Sequence, residues 1–127
     1  MQRVPTLTGI AGHFKGESLR LEYGKTITVG RSREADFCLR RSEAYRALSP
    51  AEQETDRAAK TVSGKHFQVT MYNLHSIEIR NLSPNGTWVD GQRIDAVMID
   101  DISQRAHEIR FGEQETIRLE MQAHEDA

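Results

Sequence analysis

Three short pieces of the sequence combine hydrogen-bond donors with glycine, and each lies at the end of a predicted strand. An arginine guanidinium presents a rigid fork of donors that matches the geometry of a phosphate group. A serine hydroxyl and the amides of a glycine-containing turn are small donors that can close on the same oxyanion. These residue types therefore predict phosphate binding. The pieces are Gly30-Arg31, Ser63-Gly64-Lys65-His66 and Asn85-Gly86-Thr87.

Order and strand context make the three pieces more specific than any one of them alone. An isolated Arg31 would be interpreted as a solvated surface residue, because short motifs of this kind are common. Here Arg31 follows a predicted strand, whereas Ser63 and Asn85 each precede one. The side chain of Asn85 carries both a donor and an acceptor, so it can pair with the backbone of a ligand as an adjacent peptide unit would.

The elements that must position these residues are mostly strands. Apolar residues alternate with polar ones, which is the period of a strand with one face on a core. Turn sequences separate the runs, and Asp90-Gly91 is typical of a tight hairpin. The pattern predicts an all-β fold, a two-sheet β-sandwich of about ten to eleven short strands. The clearest alternating runs are 19–23, 26–29, 67–71, 77–79 and 117–121.

One long segment, residues 40–61, interrupts the strand pattern. Its sequence Ser49-Pro50-Ala51-Glu52 is typical of a helix start, with serine as the N-cap and proline at the first helical position. The residues that follow are good helix formers with few apolar side chains. We therefore predict a short, mostly solvated helical insertion near residues 49–60. Thr55 and Thr61 are candidate phosphorylation sites in it, through which a modified copy could bind a second molecule head to tail.

Together the three pieces and their flanking strands resemble the forkhead-associated (FHA) domain family. That family has Gly-Arg after its second strand, Ser-x-x-His ahead of a later strand and Asn-Gly before a hairpin. The loop before Ser63 is longer here than is usual in the family, and relatives often carry a polar contact residue at the position of Gly64 and serine or threonine at that of Pro84. The expected boundaries are one domain over residues 1–127, a core at about 7–121, an insertion at 40–61 and a flexible C-terminal tail at 122–127.

The resemblance also implies a role for each matching residue. Arg31 and Ser63 would bind the phosphate of a phosphothreonine. Gly64 and Lys65, which follow Ser63, would also contact the phosphopeptide. Asn85 would hold the backbone of the bound peptide. A small pocket near the loops of Ser63 and Asn85 would hold the threonine methyl group and so favour phosphothreonine over phosphoserine. The residues expected to support the site structurally are Gly30, His66, Gly86 and Thr87.

The implied function is a phosphothreonine-dependent protein–protein interaction module in Ser/Thr-kinase signalling or regulated assembly. Its partner would be a phosphothreonine-containing protein, with a Ser/Thr kinase or a kinase substrate as the candidates. One alternative is a phospho-independent structural domain of a larger complex, which need not keep Arg31, Ser63 and Asn85. An enzyme such as a hydrolase is the other alternative, but no catalytic constellation is visible. Neither catalytic residues nor cofactors are therefore expected.

Composition argues against several other classes of protein. The 127 residues carry a formal net charge of -2, which is unlike a general nucleic-acid binder. No apolar run approaches the ~20 residues that cross a bilayer, and the N-terminus lacks the apolar core of a signal peptide. A cytoplasmic location without membrane insertion is therefore expected. The single cysteine, Cys38, rules out an internal disulfide, and the five histidines are too dispersed for a metal site.

Overall fold

The computed structural model describes residues 2–124, in which eleven strands form two sheets. The order of strands is β2-β1-β11-β10-β7-β8 in the six-stranded sheet and β4-β3-β5-β6-β9 in the five-stranded sheet. This arrangement confirms the predicted all-β sandwich. The strands are β1 (Gln2–Ala11), β2 (Ser18–Arg20), β3 (Lys25–Gly30), β4 (Phe37–Cys38), β5 (Phe67–Asn73), β6 (Ser76–Asn81), β7 (Thr87–Val89), β8 (Gln92–Ile94), β9 (Ala96–Ile99), β10 (His107–Phe111) and β11 (Glu115–His124).

The core lies between the two sheets and follows the alternation seen in the sequence. In β10, residues His107, Ile109 and Phe111 are buried, whereas the two residues between them are exposed. Aromatic rings join the layers, because the Phe111 ring centroid lies 5.0 Å from that of Phe67 in the other sheet. Edge-to-face contacts of this kind add to the stability that apolar burial provides. The two sheets therefore form a rigid base for the loops at their ends.

The first strand differs from the sequence-based expectation. We expected the core to begin near residue 7 and the chain to end in a flexible tail at 122–127, but β1 starts at Gln2 and pairs with β11 as far as His124. β1 was not predicted from the sequence because it contains Pro5 and Gly9, and both residue types are rare in strand interiors. Part of the expected tail is thus a paired strand, and residues 125–127 lie outside the described part of the chain.

The insertion contains three short helices rather than one. They are α1 (Glu43–Arg46), α2 (Pro50–Thr55) and α3 (Arg57–Lys60), preceded by a 3-10 turn at Leu39–Arg41. The predicted start of α2 is confirmed, since Ser49 and Glu52 form a reciprocal capping box. None of the helices within residues 2–124 has the length and apolar character needed to span a membrane.

Most residues of the insertion are exposed, as predicted, but one hydrophobic residue near each end is buried. Tyr45 in α1 and Ala59 in α3 are buried and belong to the hydrophobic core. The ring of His13 meets that of Tyr45 edge-on at 5.6 Å and contacts Asp56, the N-cap of α3, at 2.8 Å. The segment has few apolar residues, and these two pack it against the core. The insertion is therefore packed on the domain.

Glu115, at the start of β11, fixes the turn on which the insertion rests. Its buried carboxylate accepts hydrogen bonds at 3.0 Å from the backbone amides of both His13 and Phe14. Burial raises the pKa of this carboxyl group, while the two amides oppose the rise. Although Glu115 is distant in the sequence, it thus holds the backbone of His13, whose ring contacts Tyr45 and Asp56.

Candidate functional site

Sheet pairing brings the three polar pieces of the sequence to one end of the five-stranded sheet. Val29 near the end of β3 pairs with Phe67 at the start of β5, and the same Phe67 pairs with Asn81 at the end of β6. The loops that follow β3, precede β5 and follow β6 are therefore neighbours. The segment 61–66 lies between the other two loops.

Gly30 is needed where the first two loops touch. The amide of Arg31 donates to the carbonyl oxygen of Ser63 at 3.0 Å, and the amide of Ser32 donates to that of Gly64 at 3.0 Å. A Cβ atom on Gly30 would lie only 2.1 Å from the Gly64 carbonyl oxygen, so a side chain cannot be accommodated without moving the loop. Glycine thus allows Arg31 to approach Ser63 closely.

Gly64 itself is less constrained than Gly30. Its φ angle is not positive, and a Cβ atom there would make only an ordinary contact of 3.5 Å with the Cβ atom of Ser32. The amides of Gly64 and Lys65 donate no hydrogen bond to any atom within residues 2–124. They are therefore available to an acceptor outside the chain, as backbone amides at an anion-binding turn must be.

His66 ties the second loop to the third. Its buried ring accepts a hydrogen bond from the amide of Ser63 at Nδ1, over 3.0 Å, and lies 2.8 Å from the carbonyl oxygen of Gly86 at Nε2. Because a carbonyl oxygen only accepts, Nε2 carries the proton and the ring is neutral. Burial lowers the pKa of His66, although the bond to Gly86 opposes this. The amide of Ser63 is thus used internally and is not available to a ligand.

Ser83 is a candidate site residue that sequence reasoning missed. Its hydroxyl oxygen lies 2.6 Å from that of Ser63 and accepts a hydrogen bond from the amide of Asn85 at 3.0 Å. Ser83 is only 3% exposed, so both contacts are shielded from water. Its place before the Pro84-Asn85-Gly86 turn was the available signal, since serine hydroxyls often bond to amides two residues on.

Asn85 contacts the insertion. Its side-chain Nδ2 atom donates to the carbonyl oxygen of Thr61, just beyond α3, at 2.9 Å. Within the described residues no donor reaches its Oδ1 atom, and the residue is exposed. The contact fixes the orientation of the amide, so that Oδ1 and the second N–H hydrogen remain for a ligand.

Gly86 and Thr87 shape the same turn. Gly86 has a φ angle of +90°, which glycine adopts without strain. Thr87 is buried, and its hydroxyl donates to Oδ1 of Asn81 at 2.8 Å. Asn81 also donates from Nδ2 to the Ser83 carbonyl oxygen at 2.9 Å. The turn that presents Asn85 is thus held from both sides.

Two of the candidate site residues, Arg31 and Lys65, carry a positive charge. Arg31 is partly exposed and Lys65 is exposed, and neither forms an ion pair with a carboxylate of residues 2–124. The guanidinium of Arg41 bonds to the carbonyl oxygens of Arg33 and Ala35, at 2.9 and 2.5 Å, and so pins the loop after Arg31. Two unpaired cations, two open amides and a serine hydroxyl together suit a phosphate.

Metal-ligating side chains do not cluster in the described part of the chain. No group of three or more histidine, cysteine, aspartate or glutamate side chains within 2–124 is arranged to hold an ion. His66 is engaged on both ring nitrogens by the backbone, so it is not poised as a ligand or a base. The arrangement can bind an anion through hydrogen bonds and charge.

Solved structures with this fold include several FHA domains. The FHA domain of a Chlamydia trachomatis protein matches with a TM-score of 0.63 at 23% identity, covering 94% of this chain and 98% of that one. An FHA domain solved in work on phosphothreonine-dependent FHA domain interactions matches with a TM-score of 0.61 at 22% identity, covering 91% and 94% of the two chains. Mycobacterium tuberculosis EmbR, in complex with a low-affinity phosphopeptide, matches with a TM-score of 0.63 at 22% identity, covering 100% of this chain and 27% of that one.

Sequence comparison assigns the family. No curated protein matches the chain significantly. The sequence model of the FHA domain, however, matches residues 27–112, which is more than half of the chain and includes all three polar loops. The sandwich, the loops at its end and this match agree, and the chain belongs to the FHA domain family.

Proposed function

We propose that this chain is a phosphothreonine-dependent protein–protein interaction module. The observation that carries the proposal is that the loops of Arg31, Ser63 and Asn85 meet at one end of the five-stranded sheet, with no carboxylate of the described residues paired to Arg31. A phosphorylated threonine brings nearly two negative charges and three strong acceptor oxygens. Arg31 supplies charge and a fork of donors, and the amides of Gly64 and Lys65 supply neutral donors.

The hydroxyl of Ser63 is the third kind of donor to the phosphate. Ser83 accepts from the Asn85 amide and can donate its own hydrogen to Ser63, whose hydrogen then points to the ligand. Hydrogen bonds in such a chain polarise one another, so each strengthens the next. Ser83 is thus a positioning residue for the phosphate site.

Asn85 holds the backbone of the bound segment. The Thr61 carbonyl already orients its amide group, so little side-chain entropy is lost when a peptide binds. An exposed amide with a fixed donor and acceptor pairs with a peptide unit of any sequence. Asn85 therefore contributes affinity, and discrimination between partners depends on other contacts.

Two of the structural neighbours support this choice of ligand. The EmbR structure contains a phosphopeptide, and another neighbour comes from work on phosphothreonine-dependent interactions. The partner of this chain is then a protein phosphorylated on threonine, either a Ser/Thr kinase or one of its substrates. The proposal includes a cytoplasmic location and a role in signalling or regulated assembly, without catalysis by the domain itself.

Calorimetric titration with a degenerate phosphothreonine peptide library tests the proposal. Unphosphorylated and phosphoserine versions run beside it, together with the Arg31→Ala variant and Arg20→Ala, an exposed arginine on the edge strand β2, as the matched control. Binding restricted to phosphothreonine, lost in Arg31→Ala and kept in Arg20→Ala, is the expected result. No binding to any version by a folded protein would overturn the proposal and favour a phospho-independent assembly role.

A further inference from the structure

A row of three side chains crosses the outer face of the six-stranded sheet. Trp88 on β7 lies between Arg93 on β8 and Arg110 on β10, its cross-strand neighbours. The guanidinium carbon of Arg93 lies 5.6 Å from the centre of the Trp88 ring, and that of Arg110 lies 5.1 Å from it. These are cation–π distances, at which the indole orients both cations without neutralising them. We call these residues the Arg–Trp–Arg row.

Neither arginine of the row has a carboxylate partner in the described part of the chain. Other arginines of the domain do, including Arg118 with Glu108 at 3.2 Å on the same sheet. Arg80 and Arg105 are likewise paired with acidic side chains. The chain as a whole has a formal charge of -2, so acidic residues are not scarce. The row is therefore an exposed positive surface with an aromatic centre, complementary to carboxylates.

The row begins at the turn that carries Asn85. A Cβ atom placed on Gly86 would lie 3.0 Å from Nε of Arg93 and 3.1 Å from Cη2 of Trp88, so both side chains close over the backbone of that glycine. The Gly86 carbonyl, in turn, is held by His66 of the phosphate-binding loop. A segment whose backbone is gripped by Asn85 can therefore continue directly onto the Arg–Trp–Arg row.

We propose that the Arg–Trp–Arg row binds acidic side chains in the same polypeptide segment that presents the phosphothreonine. The inference rests on the proposed function and adds the class of sequence preferred by this chain. Arg93 and Arg110 donate to glutamate or aspartate carboxylates, and the Trp88 ring packs against the aliphatic part of the acidic segment. The Arg–Trp–Arg row thereby makes the domain bind acidic phosphothreonine segments more tightly than neutral ones. The contacts to the phosphate and to the peptide backbone cannot provide this preference, because they are the same for both.

A panel of phosphothreonine peptides with matched lengths tests this inference. One peptide has neutral flanks, one has three glutamates before the phosphothreonine and one has three glutamates after it. We expect one acidic peptide to bind about three- to tenfold more tightly than the neutral peptide, as two partly exposed ion pairs would give. The preference should fall below about twofold in the Arg93→Gln/Arg110→Gln double variant.

Two further variants identify the source of the effect. Arg20→Gln removes one exposed positive charge from β2 and should keep the full preference. Arg93→Lys/Arg110→Lys keeps the charge and should retain part of it, which also guards against misfolding of the glutamine variant. Equal binding of neutral and acidic peptides, or a preference that persists in the folded double glutamine variant, overturns this inference alone. Failure of every phosphothreonine peptide to bind overturns the proposed function together with it.

Discussion

The hydroxyl oxygens of Ser63 and Ser83 lie 2.6 Å apart, although the two residues come from different loops. The amide of Asn85 donates to the Ser83 hydroxyl oxygen, and that hydroxyl can in turn donate its hydrogen to Ser63. This leaves the Ser63 hydrogen free to point outwards. Ser83, which would not itself contact the proposed ligand, can thus orient the hydroxyl group of Ser63.

The first prediction concerns this hydrogen-bond chain. Ser83→Ala should weaken phosphothreonine-peptide binding by about 1–2 kcal/mol, roughly 5- to 30-fold, because Ser63 and the Asn85 amide both lose a buried partner. Calorimetric titration measures the change. Ser103→Ala, at an exposed loop position, should bind as the unmodified protein does. An unchanged affinity in Ser83→Ala would show that Ser63 is positioned without its help.

The second prediction compares two glycines of adjoining loops. Gly30→Ala should lower the free energy of unfolding by about 1–3 kcal/mol, because the added methyl group overlaps the Gly64 carbonyl oxygen and the loops must separate. Gly64→Ala, where the methyl group has room, should change it by no more than about 0.5 kcal/mol. Denaturant unfolding of both variants makes the comparison, and equal losses would mean that the close approach at Gly30 is unimportant.

The third prediction concerns pH and His66. Its pKa is lowered by burial, so the unfolded chain takes up a proton before the folded chain does, and stability falls as pH drops below about 6.5. A proton on Nδ1 would also remove the acceptor of the Ser63 amide, so peptide affinity should fall in the same window. Unfolding and binding are measured from about pH 7.5 to about pH 5.

His66→Gln provides the control for this pH series. It removes the titrating group, so the slope of stability against pH should flatten in the window even if the variant is less stable overall. Asp90 and Asp101 have lowered pKa values, and the stability they contribute is lost only at more acidic pH, below the usual range of an aspartate. The raised pKa of Glu115 contributes a slope of stability against pH with the opposite sign, and it does so equally in the unmodified protein and in His66→Gln. An unchanged slope in His66→Gln would assign the effect to another group.

The fourth prediction concerns the docking of the insertion. Tyr45→Ala should lower the free energy of unfolding by about 2–4 kcal/mol, because a buried ring in contact with His13 is lost. Arg46→Ala, an exposed neighbour in α1, should change it little. Hydrogen exchange in α2 should also accelerate in Tyr45→Ala if the ring anchors the whole segment. Similar unfolding free energies for the two variants would contradict the docked arrangement.

The sequence predicted features that depend on local chemistry. The alternation of β10 and the Asp90-Gly91 hairpin are visible there, and Asp90 and Gly91 indeed have φ angles of 50° and 85°. The structure differs where distant residues decide the outcome. Pro5 made β1 hard to recognise in the sequence, and β1 is held by pairing with β11. Tyr45 is buried where its ring packs edge-on against His13, a residue distant in sequence.

The candidate site shows the same division between features of local sequence, which could be predicted, and contacts between distant residues, which could not. Arg31, Ser63 and Asn85 stood out through their types and their places at strand ends, and sheet pairing brings their loops together. Ser83 did not stand out, because its partner Ser63 is 20 positions away and the contact exists only in the folded chain. The contact between Asn85 and Thr61 is equally invisible in the sequence, since its acceptor is a backbone carbonyl.

If Asn85 holds a bound peptide as proposed, its hydrogen bond to Thr61 couples the insertion to ligand binding. A peptide that needs Asn85 in this orientation binds more tightly when Thr61 is in place. By reciprocity, the bound peptide must protect the end of α3 against local opening by the same free energy. A modification or a second protein that captures residues 49–60 would thereby adjust the occupancy of the phosphate site without touching it.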